Sequence, residues 1–392
     1  MGEIAVFSKG VGYSKNDLCE EGTPIILYGR LYTKYETCIF DVDTFVKEKA
    51  GSVYSKGGEV IVPASGETAE DISIASVVVK PGILLGGDLN IVSPTAEYDS
   101  AFLALTISSG ATHKYLSSLA QGKSVVHLHN SDIQSVSAKF PTKREQEKIH
   151  LIFGKIDTLI TLHQRKYDKL QVLKKAMLEK MFPKNGSSVP EIRFKGFTDA
   201  WEQRKLGDIM NVTSVKRIHQ SDWTDSGVRF LRARDIVSAS KNEEPDDYLY
   251  ISKEKYDEYS LISGKVSVGD LLVTGVGTIG VPYLIRNSEP LYFKDGNIIW
   301  FQNGTKIDGD FFLYSFFGKA IQDFINESAG IGTVGTYTIE SGKKTPISLP
   351  EMKEQQQIGA YFRNLDNLIT LHQRELEKLQ NIKKSMLEKM FV

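Results

Sequence analysis

The sequence predicts an α+β protein in which two globular domains are separated by two long antiparallel coiled-coil helices, related by a pseudo-two-fold internal repeat. Three observations support this fold class. The chain has 392 residues, whereas single hydrophobic cores stop growing at about 250 to 300 residues. Residues 141–182 match residues 350–391 at 24 of 42 positions without a gap, at a constant offset of 209, which indicates a duplication. Both repeated blocks also have the periodicity of a long helix.

The repeated blocks carry a coiled-coil seam, because their apolar residues recur in alternating steps of four and three. The seam of the two blocks consists of Ile149, Phe153, Ile156, Ile160, His163, Tyr167 and Leu170, and of Ile358, Phe362, Leu365, Ile369, His372, Leu376 and Leu379. Pro141 and Pro350 open the blocks, and Pro183 ends the first one. A helix of about 37 residues spans roughly 55 Å, so each block predicts a rod.

Two helices with one apolar stripe each bury those stripes most simply against each other. If the halves are related by a two-fold axis, as isologous pairs usually are, the helices run antiparallel and hold the globular halves at opposite ends. His163 and His372 lie on this seam within the shared string TLHQR. We interpret them as polar residues that fix the helix register, with a pH switch or a partner contact as the alternative.

The predicted domains are a first globular domain at residues 1–140, a first long helix at 141–185, a second globular domain at 186–349 and a second long helix at 350–392. Both globular domains are rich in β-branched and aromatic segments bounded by Gly, Asn and Asp, which is typical of strands. These segments are Thr23–Leu31, Glu59–Val62, Val228–Leu231, Asp270–Thr274 and Asn297–Phe301. One helix is predicted at 308–327, with a counterpart near 99–119.

The composition excludes several classes of protein. With 48 basic and 49 acidic residues the net charge is -1, so a nucleic-acid site has to be a local feature. Residues 141–185 concentrate positive charge, which fits either a solvated helix face or a surface for phosphates or partner subunits. Cys19 and Cys38 are too few for a disulfide framework or a four-ligand zinc site, so we expect a cytoplasmic protein without a metal. No apolar run approaches the roughly 18 residues of a membrane span.

The strongest enzyme motif is the glycine string Gly275–Gly280, which follows a predicted strand. A dinucleotide site needs a helix after the third glycine, but Val281 and Pro282 follow here and the next residues resemble another strand. A tight turn is therefore predicted, with an NAD-binding oxidoreductase as the alternative. Gly122-Lys123-Ser124 lacks the first glycine of a phosphate loop, and His127 and His129 lack a third metal ligand nearby. A coiled-coil scaffold is the other alternative.

Several segments together resemble the specificity (S) subunit of type I restriction-modification systems, over essentially the whole chain. They are P-x-x-x-E-Q-x-x-I at 141–149 and 350–358, PEIRFKGFTDAWEQRKLGDI at 190–209, RFLRARDI at 229–236, ILYGRLYTKY at 26–35, and the G-[DE]-hydrophobic strands followed by a glycine turn. Each segment alone is weak, but their combination is specific.

The resemblance implies a non-catalytic protein whose globular halves are target recognition domains. Each would read one half of a bipartite, asymmetric double-stranded DNA site. The long helices would set the spacer and dock two methyltransferase (M) subunits for adenine-N6 methylation, and two restriction/translocase (R) subunits would complete the endonuclease. This chain would bind no cofactor itself, and S-adenosylmethionine would be bound by the methyltransferase subunits. No membrane partner is expected.

Carrying the recognition loops of the family onto this sequence identifies candidate DNA-binding residues in both halves. Arginines can pair with guanine, hydroxyls and turn amides suit phosphates, and aromatic rings can pack on bases or sugars. The candidates in the first half are Tyr28, Arg30, Tyr32, Lys34, Ser65, Gly66, Glu67 and Thr68. Those in the second half are Arg232, Arg234, Thr274, Gly277, Thr278, Thr333, Thr336 and Tyr337.

The first half departs from the family pattern at its start. Met1–Ile4 corresponds to the middle of the 190–209 segment, so a counterpart of residues 190–205 does not precede the first domain in this sequence. We expect the first domain either to lack an edge element or to be covered by the C-terminal end of the second long helix.

Overall fold

The computed structural model describes residues 1–391 except Lys123, Asn185, Asn242, Glu244, Asp246 and residues 330–334. The chain divides into two compact units. The first comprises Met1–Gln164 together with Arg374–Val392, and the second comprises Arg165–Gln373. Each unit therefore contains one globular part and one segment from each long helix.

The first unit, in its described residues, contains two larger sheets and a two-stranded ribbon. Its strands are β1 (Ala5–Lys9), β2 (Leu18–Cys19), β3 (Thr23–Ile26), β4 (Cys38–Ile39), β5 (Phe45–Val46), β6 (Glu59–Pro63), β7 (Ser65–Gly66), β8 (Ser76–Val78), β9 (Leu84–Leu85), β10 (Leu89–Pro94) and β11 (Val126–His127). The main sheet has the order β1-β10-β6-β8-β4, the second sheet has the order β2-β5-β3-β9, and β7 pairs with β11. Its helices are α1 (Arg30–Thr33), α2 (Ala69–Ile72), α3 (Ser100–Ile107), α4 (Gly110–Leu119), α5 (Asn130–Ser135) and the first part of α6 (Lys143–Lys180).

The second unit repeats this plan. Its strands are β12 (Glu202–Lys205), β13 (Asn211–Thr213), β14 (Trp223–Thr224), β15 (Val228–Leu231), β16 (Leu249–Ile251), β17 (Leu271–Thr274), β18 (Pro282–Leu284), β19 (Leu291–Phe293), β20 (Ile298–Gln302) and β21 (Pro346–Leu349). Within the described residues the sheets have the orders β13-β20-β17-β18 and β14-β16-β15-β19, and β12 pairs with β21. The helices are α7 (Leu206–Ile209), α8 (Ala233–Ser240), α9 (Lys253–Ser263), α10 (Gly309–Phe317), α11 (Lys319–Ser328), α12 (Ile339–Lys344) and the first part of α13 (Met352–Met390).

The strand orders of the two units correspond element by element. The core order β1-β10-β6-β8 in the first unit matches β13-β20-β17-β18 in the second, and β2-β5-β3-β9 matches β14-β16-β15-β19. The second of these sheets contains one parallel pair in each unit, between β3 and β9 and between β15 and β19. The predicted α+β class with an internal repeat is confirmed.

The central strands are continuous apolar runs because both of their faces are covered. All residues of β6 are buried, and those of β17 are buried as well. The helix that follows the main sheet supplies much of the cover: α3 is buried from Ala101 to Ile107, and α10 contributes several buried aromatic side chains. Each unit thus has its own hydrophobic core.

In each unit the segments of α6 and α13 run antiparallel. In the first unit Phe153 contacts Phe391 at 6.2 Å between ring centroids, and Asp157 binds Lys383 at 2.5 Å. The repeat-related contacts occur in the second unit, where Phe182 contacts Phe362 at 5.9 Å and Lys174 binds Asp366 at 2.6 Å. Residues 209 positions apart therefore make the same contacts in both units.

A glutamine at the start of each long helix joins that helix to its globular part. The Gln146 side-chain oxygen accepts from the Asp99 amide at 2.9 Å, and its amide group donates to the Pro141 carbonyl at 2.8 Å. Gln355 makes the equivalent bonds to Asp308 and Pro350 at 3.0 and 2.9 Å. Both glutamines are buried, where a polar group has to be hydrogen-bonded. These bonds explain why the glutamine is repeated at this position.

The C-terminal end of α13 covers the first unit. Phe391 packs against Phe102 and Phe153 in one apolar cluster, and the Ala111 amide donates to the Phe391 carbonyl at 3.1 Å. In the second unit Phe182 occupies the equivalent place against Phe311, and there Trp201 packs on both rings. The sequence predicted that the first domain either lacks an edge element or is covered by the C-terminal end of the second long helix. These contacts agree with the second expectation.

The 190–209 segment is tied to α13 by a buried ion pair. Arg193 donates two hydrogen bonds of 2.7 Å to the two carboxylate oxygens of Glu354. Glu354 is fully buried, and its hydrogen bond to the guanidinium raises the pKa of Arg193. A bidentate pair of this kind has both strength and directionality.

Replacing Glu354 with glutamine is expected to destabilise the second unit by about 1 to 3 kcal/mol, because Arg193 then loses its charged partner in a buried site. The shift is measured as a lower thermal unfolding midpoint. Glu145→Gln is the matched control, since Glu145 is the repeat-related residue and is exposed. Equal midpoints for the two variants would contradict the structural role of the pair.

The structure corrects two of the local predictions and confirms a third. The strand predicted at Thr23–Leu31 is wrong beyond Ile26, because the chain turns at Gly29 and forms α1. The helix predicted at 308–327 is divided into α10 and α11, since Gly318 adopts an extended conformation between them. The glycine string joins the antiparallel strands β17 and β18, which confirms the turn.

None of the helices in the described residues is both long enough and apolar enough to cross a membrane.

Candidate nucleic-acid interface

The basic candidates of the first unit are held by acidic neighbours. Arg30 is buried and donates to Glu36 at 2.7 Å, to Asp43 at 2.9 Å and to the Asp41 carbonyl at 3.2 Å. Lys34, which is exposed, donates to the other oxygen of Asp43 at 2.9 Å. The hydrogen bond from Lys34 foremost, and to a lesser extent the positive charge of Arg30, lower the pKa of Asp43. The carboxylate is therefore charged and lies between two cations.

The second unit has the same arrangement around Asp247. Arg232 donates to Asp235 at 2.8 and 3.0 Å and to Asp247 at 3.1 Å. Arg234, which is exposed, also donates to Asp247. Hydrogen bonds from Arg232 and then Arg234 lower the pKa of Asp247.

These two clusters occupy equivalent places in the fold. Asp43 lies two residues before β5 and Asp247 lies two residues before β16, while the cations lie on or beside α1 and α8. We call each cluster a carboxylate clamp, defined as Arg30–Asp43–Lys34 in the first unit and Arg232–Asp247–Arg234 in the second. The sequence indicated the cations but not the carboxylates, because no spacing rule connects Asp43 or Asp247 to them.

The tyrosines and the 65–68 turn of the first unit lie together. The Tyr32 hydroxyl donates to the Ser65 carbonyl at 2.8 Å, and burial raises the pKa of Tyr32 above its usual range. Tyr28 is partly exposed and meets Tyr32 edge-on at 6.3 Å. A Cβ atom at Gly66 would lie 2.8 Å from the Tyr32 hydroxyl oxygen, so only glycine fits there.

Ser65 and Gly66 form the short strand β7 and are buried, whereas Glu67 and Thr68 are exposed. Ser65 lies 3.2 Å from the Nδ1 atom of His127, and Thr68 caps α2 by accepting from the Asp71 amide at 3.0 Å. His127 and His129 stack at 6.5 Å. In the described residues no three His, Cys, Asp or Glu side chains form a group that can hold a metal ion.

The 274–278 turn of the second unit combines a buried base with an exposed tip. Thr274 is fully buried and its hydroxyl donates to the Thr278 carbonyl at 2.5 Å, whereas Gly277 and Thr278 are exposed. Gly277 has a φ of +76° with open space around its Cα, a conformation that favours glycine. The tip can therefore approach another molecule closely.

Residues 336–337 lie beside this turn. The Tyr337 amide donates to the Gly275 carbonyl at 2.9 Å. Tyr337 is buried with its hydroxyl on Thr345, and burial raises the pKa of Tyr337 above its usual range. Thr336 is exposed, and Thr333 lies outside the described residues.

The candidates thus divide into exposed and buried groups. The exposed candidates are Tyr28, Lys34, Glu67, Thr68, Arg234, Gly277, Thr278 and Thr336. Arg30, Ser65, Gly66, Thr274 and Tyr337 are buried, and Tyr32 and Arg232 are half-buried, so these seven position the exposed group. Direct contact of any of these residues with DNA stays a prediction.

The seam residues of both helices face inward to different degrees. Phe153, Ile358, Phe362, Leu365 and Ile369 are buried. The remaining seam residues, Ile149, Ile156, Ile160, His163, Tyr167, Leu170, His372, Leu376 and Leu379, are half-buried.

Outside the seam, each long helix exposes a repeated pair of leucines. Leu159 and Leu162 of α6 are 43% and 48% exposed, and their repeat counterparts on α13, Leu368 and Leu371, are 44% and 51% exposed. Residues three apart lie on one helix face. Each unit therefore presents the same apolar pair within the shared string LITLHQR.

Comparison with known proteins agrees with this architecture. Residues 198–381 match the family model described as the type I restriction modification DNA specificity domain. The chain is 23% identical over 359 residues to the type I restriction enzyme MjaVIII specificity subunit of Methanocaldococcus jannaschii, covering 88% of this chain and 80% of that one. It is 33% identical over 170 residues to a putative type I restriction enzyme specificity subunit of Haemophilus influenzae, covering 42% and 41% of the two chains.

Two solved structures share the fold. The crystal structure of the type I restriction-modification S subunit from M. genitalium aligns over 100% of this chain and 94% of its own, with a TM-score of 0.59 and 15% identity. A chain from a structural study of complex assembly and conformational transition in the type I system aligns over 100% and 96%, with a TM-score of 0.51 and 14% identity. The second half of the chain therefore matches a type I restriction modification DNA specificity domain, and the chain over most of its length is similar to specificity subunits of type I restriction enzymes.

Proposed function

We propose that this chain is the DNA-reading subunit of a type I restriction-modification complex and performs no chemistry of its own. Each globular part reads one half of a bipartite, asymmetric site in double-stranded DNA. The observation that carries the proposal is a fold present twice, with unlike residues on its globular parts and long helices that match at 24 of 42 positions. Different side chains at equivalent places read different bases.

The candidate surfaces support different half-sites. At the carboxylate clamps the exposed cation is Lys34 in the first unit and Arg234 in the second. Arginine offers a planar fork that can be bidentate to guanine, whereas lysine is a single point charge. The turn tips also differ, because the first unit presents Glu67 and Thr68 where the second presents Gly277 and Thr278.

The long helices set the spacer between the half-sites. α6 has 38 residues and α13 has 39, so each spans roughly 57 Å. This length exceeds the roughly 34 Å of one DNA turn, which fits half-sites centred more than one turn apart.

The exposed leucine pairs are docking positions for two methyltransferase subunits. One repeated surface on each helix suits two copies of one partner, because the same pair recurs while the globular parts diverge. The methyltransferase subunits bind S-adenosylmethionine and methylate adenine N6, and this chain binds no cofactor. Two restriction/translocase subunits complete the nuclease. The free thiols Cys19 and Cys38 fit action in the cytoplasm.

Exchanging residues 1–140 for the equivalent domain of another specificity subunit is expected to give a hybrid target that keeps the half-site read by residues 186–349. The complex is expressed with its methyltransferase, and the methylated motif is determined by methylome sequencing. A purely structural scaffold predicts an unchanged motif, which would refute the proposal. Exchange of residues 186–349 is the matched control and should change the other half-site.

A further inference from the structure

Each unit contains a carboxylate clamp whose exposed ion pair is not needed for folding. Arg30 retains Glu36 and the Asp41 carbonyl without Asp43, and Arg232 retains Asp235 without Asp247. The Asp43 and Asp247 side chains are 65% and 62% exposed, and ion pairs this exposed contribute little to stability. Stability therefore does not explain why the clamp occurs in both units.

The two clamps are alike in geometry although their sequences differ. The exposed cation follows the less exposed arginine, Arg30 or Arg232, by four residues in the first unit and by two in the second, and it is lysine in one and arginine in the other. In both units a charged carboxylate remains at the surface with similar exposure. Two globular parts that share few residues have kept this one arrangement of charges.

The carboxylates have hydrogen-bonding capacity left. An ionised carboxylate accepts about four hydrogen bonds. Asp43 accepts one from Arg30 and one from Lys34, and Asp247 accepts two from Arg232 and one from Arg234. In the DNA major groove the exocyclic amines, cytosine N4 and adenine N6, are the groups that donate to such an acceptor. Phosphates, in contrast, are repelled by the carboxylate and compete with it for the exposed cation.

We propose that Asp43 and Asp247 are specificity-determining residues, each of which accepts a hydrogen bond from an exocyclic amine of cytosine or adenine in the cognate half-site. On other sequences the carboxylate receives no base donor and keeps the neighbouring cation neutralised, so that binding is weaker. This inference rests on the proposed DNA-reading function.

The test uses the complex of this chain with its methyltransferase subunits and two labelled duplexes, one with the methylated motif and one unrelated. Affinities are measured by fluorescence anisotropy at several salt concentrations. Asp43→Ala and Asp247→Ala, which leave no acceptor oxygen for the amine, are each expected to reduce the preference for the cognate duplex by at least ~10-fold. Part of the lost preference comes from a higher affinity for the unrelated duplex, because one cation is freed to bind phosphate. The plot of log affinity for that duplex against log salt concentration should be steeper by about 1.

A double-mutant cycle separates the clamp from general charge effects. Lys34→Met with Asp43→Ala, and Arg234→Met with Asp247→Ala, should abolish the gain on unrelated DNA, because the freed cation is absent. Additive effects in both cycles would overturn the proposal. The matched control is Asp257→Asn, which removes a carboxylate paired with Lys253 at 3.4 Å and Lys265 at 3.3 Å. It should leave the preference unchanged.

The outcomes distinguish this inference from the proposed function. A wild-type complex that shows no preference between the duplexes contradicts the DNA-reading function itself. A wild-type preference that both alanine variants retain in full contradicts only the role of Asp43 and Asp247. Thermal unfolding midpoints equal to wild type confirm that the variants are folded.

Discussion

Replacing Leu368 and Leu371 with aspartate is expected to weaken binding of one methyltransferase subunit by at least ~100-fold. Fully burying an exposed leucine contributes about 1.5 to 3 kcal/mol. Leu368 and Leu371 are 44% and 51% exposed, so the area that a partner can still cover amounts to about 1.5 to 3 kcal/mol for the pair, or ~10- to 100-fold in Kd. Desolvating two added carboxylates costs more, which brings the loss to at least ~100-fold. The dissociation constant is measured by isothermal titration calorimetry with the purified methyltransferase.

The internal repeat supplies an equivalent pair of leucines on α6, and another exposed apolar residue of α6 supplies a control. Leu159→Asp with Leu162→Asp should affect the other site equally, and the four-residue variant should bind neither copy. Val172→Asp is the control, because Val172 is 69% exposed but its repeat counterpart is Asn381, so this apolar position is not shared. Full binding of two subunits by the four-residue variant would contradict the docking proposal.

Phe362→Ala is expected to destabilise the second unit by about 3 to 5 kcal/mol, as is typical when a buried phenylalanine is truncated to alanine. The Phe362 side chain is fully buried and packs on Tyr314 at 5.1 Å and Phe182 at 5.9 Å. Trp201, Trp223 and Trp300, the chain's three tryptophans, lie in this unit, so tryptophan fluorescence during urea unfolding reports its loss.

Phe153→Ala is the matched control in the first unit, where Phe153 is equally buried. This variant should shift the unfolding followed by far-UV circular dichroism more than the unfolding followed by tryptophan fluorescence. A destabilisation below about 1 kcal/mol for Phe362→Ala would contradict the buried contacts of its ring.

The long helices could be predicted because their pattern is strong and occurs twice. Phe153 and Phe362 are 209 residues apart and occupy the same seam position, and each contacts the phenylalanine that ends the other helix. The buried Gln146 and Gln355 were not predicted to be buried, since a glutamine in a charged string is usually exposed. Only the tertiary fold supplies their partners.

The candidate interface was predictable in residue type but not in arrangement. Arginine, lysine and threonine residues were identified, yet Arg30 and Thr274 turn inward because local hydrogen bonds satisfy them. Asp43 and Asp247 were missed because an exposed aspartate before a short strand has no distinctive pattern. Their partners are brought near by sheet pairing, which depends on contacts distant in the sequence.

Each unit requires the last turns of a helix that starts in the other unit, and this interdependence has a genetic consequence. A gene break after Phe182 leaves Phe153 without Phe391, the ring that covers it in the complete chain. The same fragment nevertheless carries Phe182 and Lys174, which are identical to the missing Phe391 and Lys383. We expect two copies of such a fragment to pair by exchanging these helix ends, because Phe182 and Lys174 of one copy can take the places of Phe391 and Lys383 against Phe153 and Asp157 of the other.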